Sequence, residues 1–355
     1  MSACKNQTKN LASMTTTTDS SFDKRHYHEE ISKLWTPALR TFNRLIRSYI
    51  IFNCIFLIIV CAEIVCFLSF FALLSKSTVL AFTLAVFFMT VFSYFVMKLY
   101  LQAKKPDQLM DLCDLYTGRC KEVIRYQEGI PEHHIALGQA TQKFAATLHE
   151  KEYSYYQVPS FLSSLGPTLE RFSCFCHWKD LYRMKELLLQ TAVEEHLKVV
   201  KCEPTNLEVH AALANAYVML SSLYADPRKY HDYDEERYIP EERYSEAMQE
   251  RFRLTAQRAI EEFKILNDYA PEDPWVHVQL AYSYHDLQMP LEEIREYEIV
   301  LTLRPQDQDT LFKLGMLYFQ QGMNAKGLRV YETLKRTHYS KAESLIKFYG
   351  SDESS

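Results

Sequence analysis

Between Ile50 and Met97 the only charged residues are Glu63 and Lys76, and nearly everything else is apolar. Ile50–Leu74 forms one hydrophobic lobe, Ser75-Lys76-Ser77-Thr78 a polar break, and Val79–Met97 a second lobe. A bilayer core takes about 20 apolar helical residues to cross, and each lobe is close to that length. The break has room only for a tight turn. The spacing therefore predicts a transmembrane hairpin over 49–98, with spans 50–74 and 79–97. Glu63 opposes insertion of the first span by about 2.5–3.5 kcal/mol. Against it stand 17 Ile, Leu, Phe and Val residues in the same lobe, each worth about 0.3–0.6 kcal/mol near the bilayer centre. The lobe is predicted to insert, with Glu63 protonated or facing Thr83, Thr90 or Ser93. Neither span contains glycine, which excludes a close GxxxG crossing.

The flanks set an orientation. Lys24, Arg25, Lys33, Arg40, Arg44 and Arg47 precede the hairpin, and Lys98, Lys104 and Lys105 follow it. By the positive-inside rule both termini are expected in the cytosol or its topological equivalent. The apolar run begins too late for a cleavable signal peptide. Residues 1–26 form a polar N-terminus expected to be disordered, because its Ser, Thr, Asn and Gln cannot build a core. Residues 27–48 read as a basic amphipathic helix. Ile31, Leu34, Trp35, Ala38, Leu39, Phe42, Leu45 and Ile46 recur at helical spacing. That helix either lies on an anionic surface or extends the first span, and Pro37 would kink it.

Beyond Asp107 no segment alternates with period two, and the chain has only 8 glycines, so an all-α domain is expected over 107–350. Leu280-Ala281-Tyr282-Ser283-Tyr284 is echoed further along the chain by Leu314-Gly315-Met316-Leu317-Tyr318. Tyr297 and Tyr331 repeat at the same offset. With Pro305 closing the first unit, this pattern resembles the tetratricopeptide repeat family, whose period of about 34 residues it shares. A further unit is split: Leu213, Ala214 and Tyr217 lie on its first helix, and Ala259, Phe263 and Pro271 on its second. An insertion at about 223–251, acidic and rich in tyrosine, separates them. Ala192 and Pro204 suggest the second helix of a preceding, degenerate unit, and Ile135–Phe144, with Leu137-Gly138, suggests the start of another. The resemblance implies a TPR-like α-solenoid whose first helices line a groove. Matched position by position, that groove would contain Asn215, Val218 and Met219, then Trp275, Val278, Tyr282 and His285, then Phe312, Met316, Phe319 and Gln320. The implied occupant is a protein partner, as an extended peptide or an amphipathic helix. The order of parts, with a polar start, a bilobed apolar stretch and a helical module, also resembles chlamydial inclusion membrane proteins.

Chemistry is sparse. There is no glycine-rich phosphate loop and no G-x-S-x-G or H-E-x-x-H motif. Cys174-Phe175-Cys176-His177 has no second ligand pair at finger spacing. No cofactor, metal or catalytic residue is expected, and the 9 cysteines read as reduced thiols. A net charge of −5 with no recognition motif argues against a nucleic-acid partner. The expectation is an integral membrane protein with two spans, in a bacterial inner membrane or, if secreted, a host-vacuole or inclusion membrane. It would serve as a non-enzymatic interaction scaffold. The competing reading is an assembly or transport component in which Glu63 acts within the membrane. The residues do not specify an oligomeric state.

Overall fold

A computed structural model of the chain describes residues 24–69, 77–156, 165–229 and 238–350, with the side chains of 24–32, 77–78 and 229 outside the description. The polar tract before residue 24, the end of the expected first span at 70–74 with Ser75 and Lys76 of the expected turn, and Tyr230 and Tyr233 of the insertion fall outside the described residues. Every regular element described is helical. The helices are α1 (Lys24–Ser69), α2 (Ser77–Ile124), α3 (Pro131–Thr147), α4 (Gly166–Cys202), α5 (Leu207–Tyr224), α6 (Glu246–Tyr269), α7 (Pro274–Asp286), α8 (Pro290–Leu303), α9 (Gln308–Gln320), α10 (Asn324–Thr337) and α11 (Tyr339–Leu345).

α1 and α2 are long and packed antiparallel. Their 46 and 48 residues extend about 70 Å at 1.5 Å per residue, more than twice a bilayer core. In their apolar halves Phe52 stacks on Tyr94 at 6.0 Å, and the Tyr94 hydroxyl donates to Asn53 at 3.2 Å. The Thr90 hydroxyl donates to Glu63 Oε1 at 2.7 Å, so Thr90 is the partner among the three the sequence offered. Outward-facing residues here are large and apolar: Leu57, Ile58, Leu68, Phe82, Phe88, Met89 and Phe92 are all exposed. Both helices are long and apolar enough to cross a membrane.

The other halves behave differently. Ala38, Phe42 and Ile46 of α1 are buried with Leu109, Leu112, Cys113, Tyr116 and Cys120 of α2. Leu137 and Phe144 of α3, Leu181, Met184 and Leu188 of α4, and Leu213 of α5 complete the same core. The basic segment over 27–48 is thus the lower part of α1, unbroken through Pro37. Its apolar face is covered by protein, because α2, α3 and α4 present a matching apolar surface. Arg40, Arg44 and Arg47 stay exposed. Burial pushes the Cys113 and Cys120 thiols up to about 11, so these cysteines pack as small hydrophobes.

From α5 onward each helix packs on the next along the chain, and α11 also covers α9. Prolines and Asx caps punctuate the starts. Asn206, Asp273 and Asp307 each follow a proline by two residues, and each accepts a backbone N–H from the first turn of α5, α7 or α9. Each cap is worth about 1 kcal/mol.

Candidate functional site

Four helix pairs share one internal register: α3 with α4, α5 with α6, α7 with α8, and α9 with α10. The seventh and eighth residues of the first helix are Leu137-Gly138, Leu213-Ala214, Leu280-Ala281 and Leu314-Gly315, all buried. The fourth residue is His134, His210, His277 and then Leu311. Two turns before the end of the second helix stand Glu195, Glu262, Glu296 and then Val330. These positions meet in space. His134 Nδ1 lies 2.6 Å from Glu195, His210 Nδ1 2.7 Å from Glu262, and His277 Nδ1 2.7 Å from Glu296. In the two middle pairs the other ring nitrogen reaches the carbonyl oxygen of Pro204 or Pro271 at 2.9 Å. The fourth pair replaces the histidine–glutamate contact by Leu311 and Val330 in an apolar cluster.

For His210 the balance of causes is resolved. Burial lowers its pKa, but the Glu262 carboxylate and the Pro204 carbonyl outweigh it, and the net direction is upward. Both partners are acceptors, an arrangement that the doubly protonated ring fills. Glu195 is held below the ordinary carboxylate range, since the hydrogen bonds from Lys198 and His134 outweigh its burial.

Against this register the expected groove residues fall at recurring positions of α5, α7 and α9. Asn215, Tyr282 and Met316 occupy the ninth position and are half-buried. Val278 and Phe312 occupy the fifth, also half-buried, and Trp275 sits at the second with its ring edge-on to Phe263 at 6.1 Å. The twelfth position diverges. Val218 is half-buried and His285 exposed, whereas Phe319 is only 4% exposed. Phe319 lies edge-on to Tyr349 at 5.5 Å, and its ring fills the space left by Gly327. Phe312 is likewise met edge-on by Phe348 at 6.5 Å. The chain after α10 folds over this end of the first-helix faces, so Phe319 belongs to the core. Lys313 donates to the Tyr282 hydroxyl at 2.8 Å and lies over its ring. Met219 packs on the larger core near the hairpin.

Gln320 and His285 instead open onto a cleft of about 1060 Å³. One wall is the start of α6, including Glu246, Gln249, Glu250 and Phe252; the other is the α7–α8 turn with the end of α9. His285 pairs with the buried Glu293 at 3.1 Å, which raises the histidine's pKa against its partial burial. Asp286 on the same wall is raised by burial. The cleft exists because α6 begins at Glu246, well ahead of its small residue Ala259, and so overhangs the neighbouring pair. The sequence carried a signal for this overhang in Ser245 followed by a helical run, but the length of the insertion concealed it.

The described part of the insertion folds back on α4, on the end of α5 and on the turn at Tyr153. Tyr153 donates to the Tyr238 carbonyl at 3.0 Å, and Arg243 donates to the Leu223 carbonyl at 2.6 Å. Glu242 pairs with Lys179 at 2.9 Å. The buried Glu186 of α4 receives Arg183, Arg251 and the Tyr224 hydroxyl. Tyr182, alongside, is pushed up to about 12 by burial and by Glu186. In the Cys174–His177 segment Cys174 is buried and Cys176 exposed, while the His177 ring lies 5.0 Å from that of Tyr155. No group of three His, Cys, Asp or Glu side chains converges on one point among the described residues. No family model matches the chain, and no curated protein matches it.

Proposed function

We propose that this chain is a membrane-anchored, non-enzymatic scaffold that holds a protein partner. In this reading the apolar halves of α1 and α2 cross the bilayer as a hairpin. The four helix pairs form a TPR-like solenoid, and both termini lie on the cytosolic side. Two lines support the anchor. A two-helix surface of exposed Leu, Ile, Phe and Met is unfavourable in water by about 25 cal/mol per Å² and suits lipid. Cationic residues gather at its base, with Arg44, Arg47, Lys98, Lys104 and Lys105, as the positive-inside rule requires. The shared register of the four pairs is the observation that carries the scaffold reading. Successive pairs bury their apolar faces against one another, as stacked repeats do, which leaves to a partner the faces of α5 and α7 and the part of α9 that the chain after α10 does not cover.

The half-buried ninth positions, Asn215, Tyr282 and Met316, mark the surface assigned to that partner, and the polar cleft at His285 and Gln320 extends it. A partner segment there would combine apolar side chains with basic or amide groups able to meet Glu246 and Asp286. Site-specific photo-crosslinkers at positions 215, 282 and 316 of the full chain in native membranes test this. Positions 264 and 295, on the exposed second-helix surface, serve as controls. A discrete adduct formed at the first three positions and absent at the controls is expected. Equal or no adducts at all five positions would contradict the scaffold assignment.

A further inference from the structure

We propose that the start of α4 is a third membrane-contacting element, with Leu165, Phe172 and Phe175 seated in the boundary layer of the leaflet that the hairpin enters. This rests on reading α1 and α2 as a bilayer hairpin. The level of α4 is fixed by contacts to both long helices. Lys105 of α2 pairs with Asp180 of α4 at 2.9 Å and lies 4.3 Å from the ring of Tyr49 of α1. Further along, Cys113 of α2 meets Thr191 of α4 at 3.9 Å. α4 therefore runs beside α2 in the same direction, and residues before Asp180 lie toward the apolar lobes.

Tyr156 agrees with this level. It is hydrogen-bonded to Cys176 and close enough to feel Cys54, while Cys176 in turn feels Lys98 and Lys105. Cys54 is already inside the first lobe, and Lys98 directly follows the second. Cys176 thus stands where the apolar layer begins.

Among the exposed residues of this stretch, which also include Pro167, Glu170, Arg171 and Cys176, one stripe is formed by Leu165, just ahead of α4, with Thr168, Phe172, Phe175 and Lys179. At 100° per residue these five fall within an arc of about 80°. The opposite face, with Ser173, Cys174, His177 and Trp178, is buried. An outward stripe in water is ordinarily polar. This one carries two phenylalanines exposed by 50% and 64%, and it ends on Lys179. Aromatic rings at the interface with a lysine toward water are the composition of a membrane boundary. On α2, Leu99 and Tyr100, just beyond the second apolar lobe, are exposed as well. The leaflet is therefore its occupant. Three contact points instead of two would fix the tilt of the helical domain over the membrane.

Tryptophan scanning of the full chain in phosphatidylcholine vesicles, with and without bromine on the acyl chains, tests this. The variants are Phe172→Trp and Phe175→Trp, with Phe88→Trp as the hairpin probe and Tyr269→Trp as the exposed probe, each read as the difference from the parent chain. The expected result is blue-shifted added emission from the α4 variants that brominated lipid quenches, less deeply than for Phe88→Trp, with Tyr269→Trp unquenched. Quenching of Phe88→Trp alone would overturn the α4 proposal and leave the hairpin standing. Blue-shifted but unquenched α4 emission would mean that protein, such as a second copy, covers the stripe, and would overturn it too. No quenching of Phe88→Trp would remove the hairpin reading and this proposal together.

Discussion

At Gly327 an added Cβ would sit 2.5 Å from the ring of Phe319. That ring is itself buried and held by Tyr349, so it cannot swing aside. A Gly→Ala change within a helix normally gains about 1 kcal/mol, but overpacking against a fixed ring costs about 1–3 kcal/mol. Gly327→Ala is expected to lower the melting temperature. A rise would mean that Phe319 has room to move. His210 supplies a second test at this scale. Its folded pKa is raised, so the stability it contributes is fully present below its unfolded value of about 6.5. That contribution is lost as pH rises through the folded value. Relative to His210→Gln, the native chain should therefore lose stability as pH rises above about 6.5. Parallel pH profiles for the two would show that the Glu262 and Pro204 contacts do not hold the proton.

The histidine–glutamate pairs show why part of the pattern was legible and part was not. Leu280 and Leu314 stand one repeat period apart, and their two units emerge from the sequence directly. His210 and His277 are separated by nearly twice that spacing, because the insertion lies between α5 and α6. A fixed-period reading therefore passes over them. The earliest pair is obscured twice, by the long connection between Thr147 and Gly166 and by the extension of α4 along the hairpin. Groove assignment failed at Phe319 for a different reason. Position along a helix gives the face, but the residues after α10 cover that face, and nothing local to Phe319 announces them. The register makes its own prediction. In the fourth pair Leu311 and Val330 replace the histidine and glutamate. Glu296→Val alone should strand His277 and cost about 1–3 kcal/mol. The double change His277→Leu with Glu296→Val should recover most of that loss, since apolar replacement of both partners is often near neutral. Chemical denaturation of the four chains of this cycle measures it. Additive effects would show that the two side chains do not act as a pair.

Across the whole molecule, α1 and α2 pass without interruption from an apolar two-helix stalk into the core of the helical domain. The stalk and the domain are consequently one body: Phe42 and Ile46 lie in the same core as Leu137, Leu181 and Leu213, on the helix that carries Ile58 and Leu68. The two apolar lobes and the all-helical domain were readable from composition and period alone. Their fusion was not, because a basic amphipathic segment reads the same whether its apolar face meets lipid or protein. A two-residue insertion after Ser48 would turn the stalk by about 200° relative to that core. It should destabilise the domain as well as the stalk, read as faster proteolysis of the full chain in detergent. Unchanged proteolysis would mean that the two parts hold independently.

The claim on which the account turns is that the stalk lies in lipid, and the native cysteines test it without substitution. Cys61 and Cys66 project outward from the stalk, and Cys202 is exposed at the end of α4. In native membranes opened to reagent on both faces, a charged maleimide should modify Cys202 and spare Cys61 and Cys66 until denaturing detergent is added. Labelling of Cys61 and Cys66 as fast as Cys202 in the intact bilayer would contradict it.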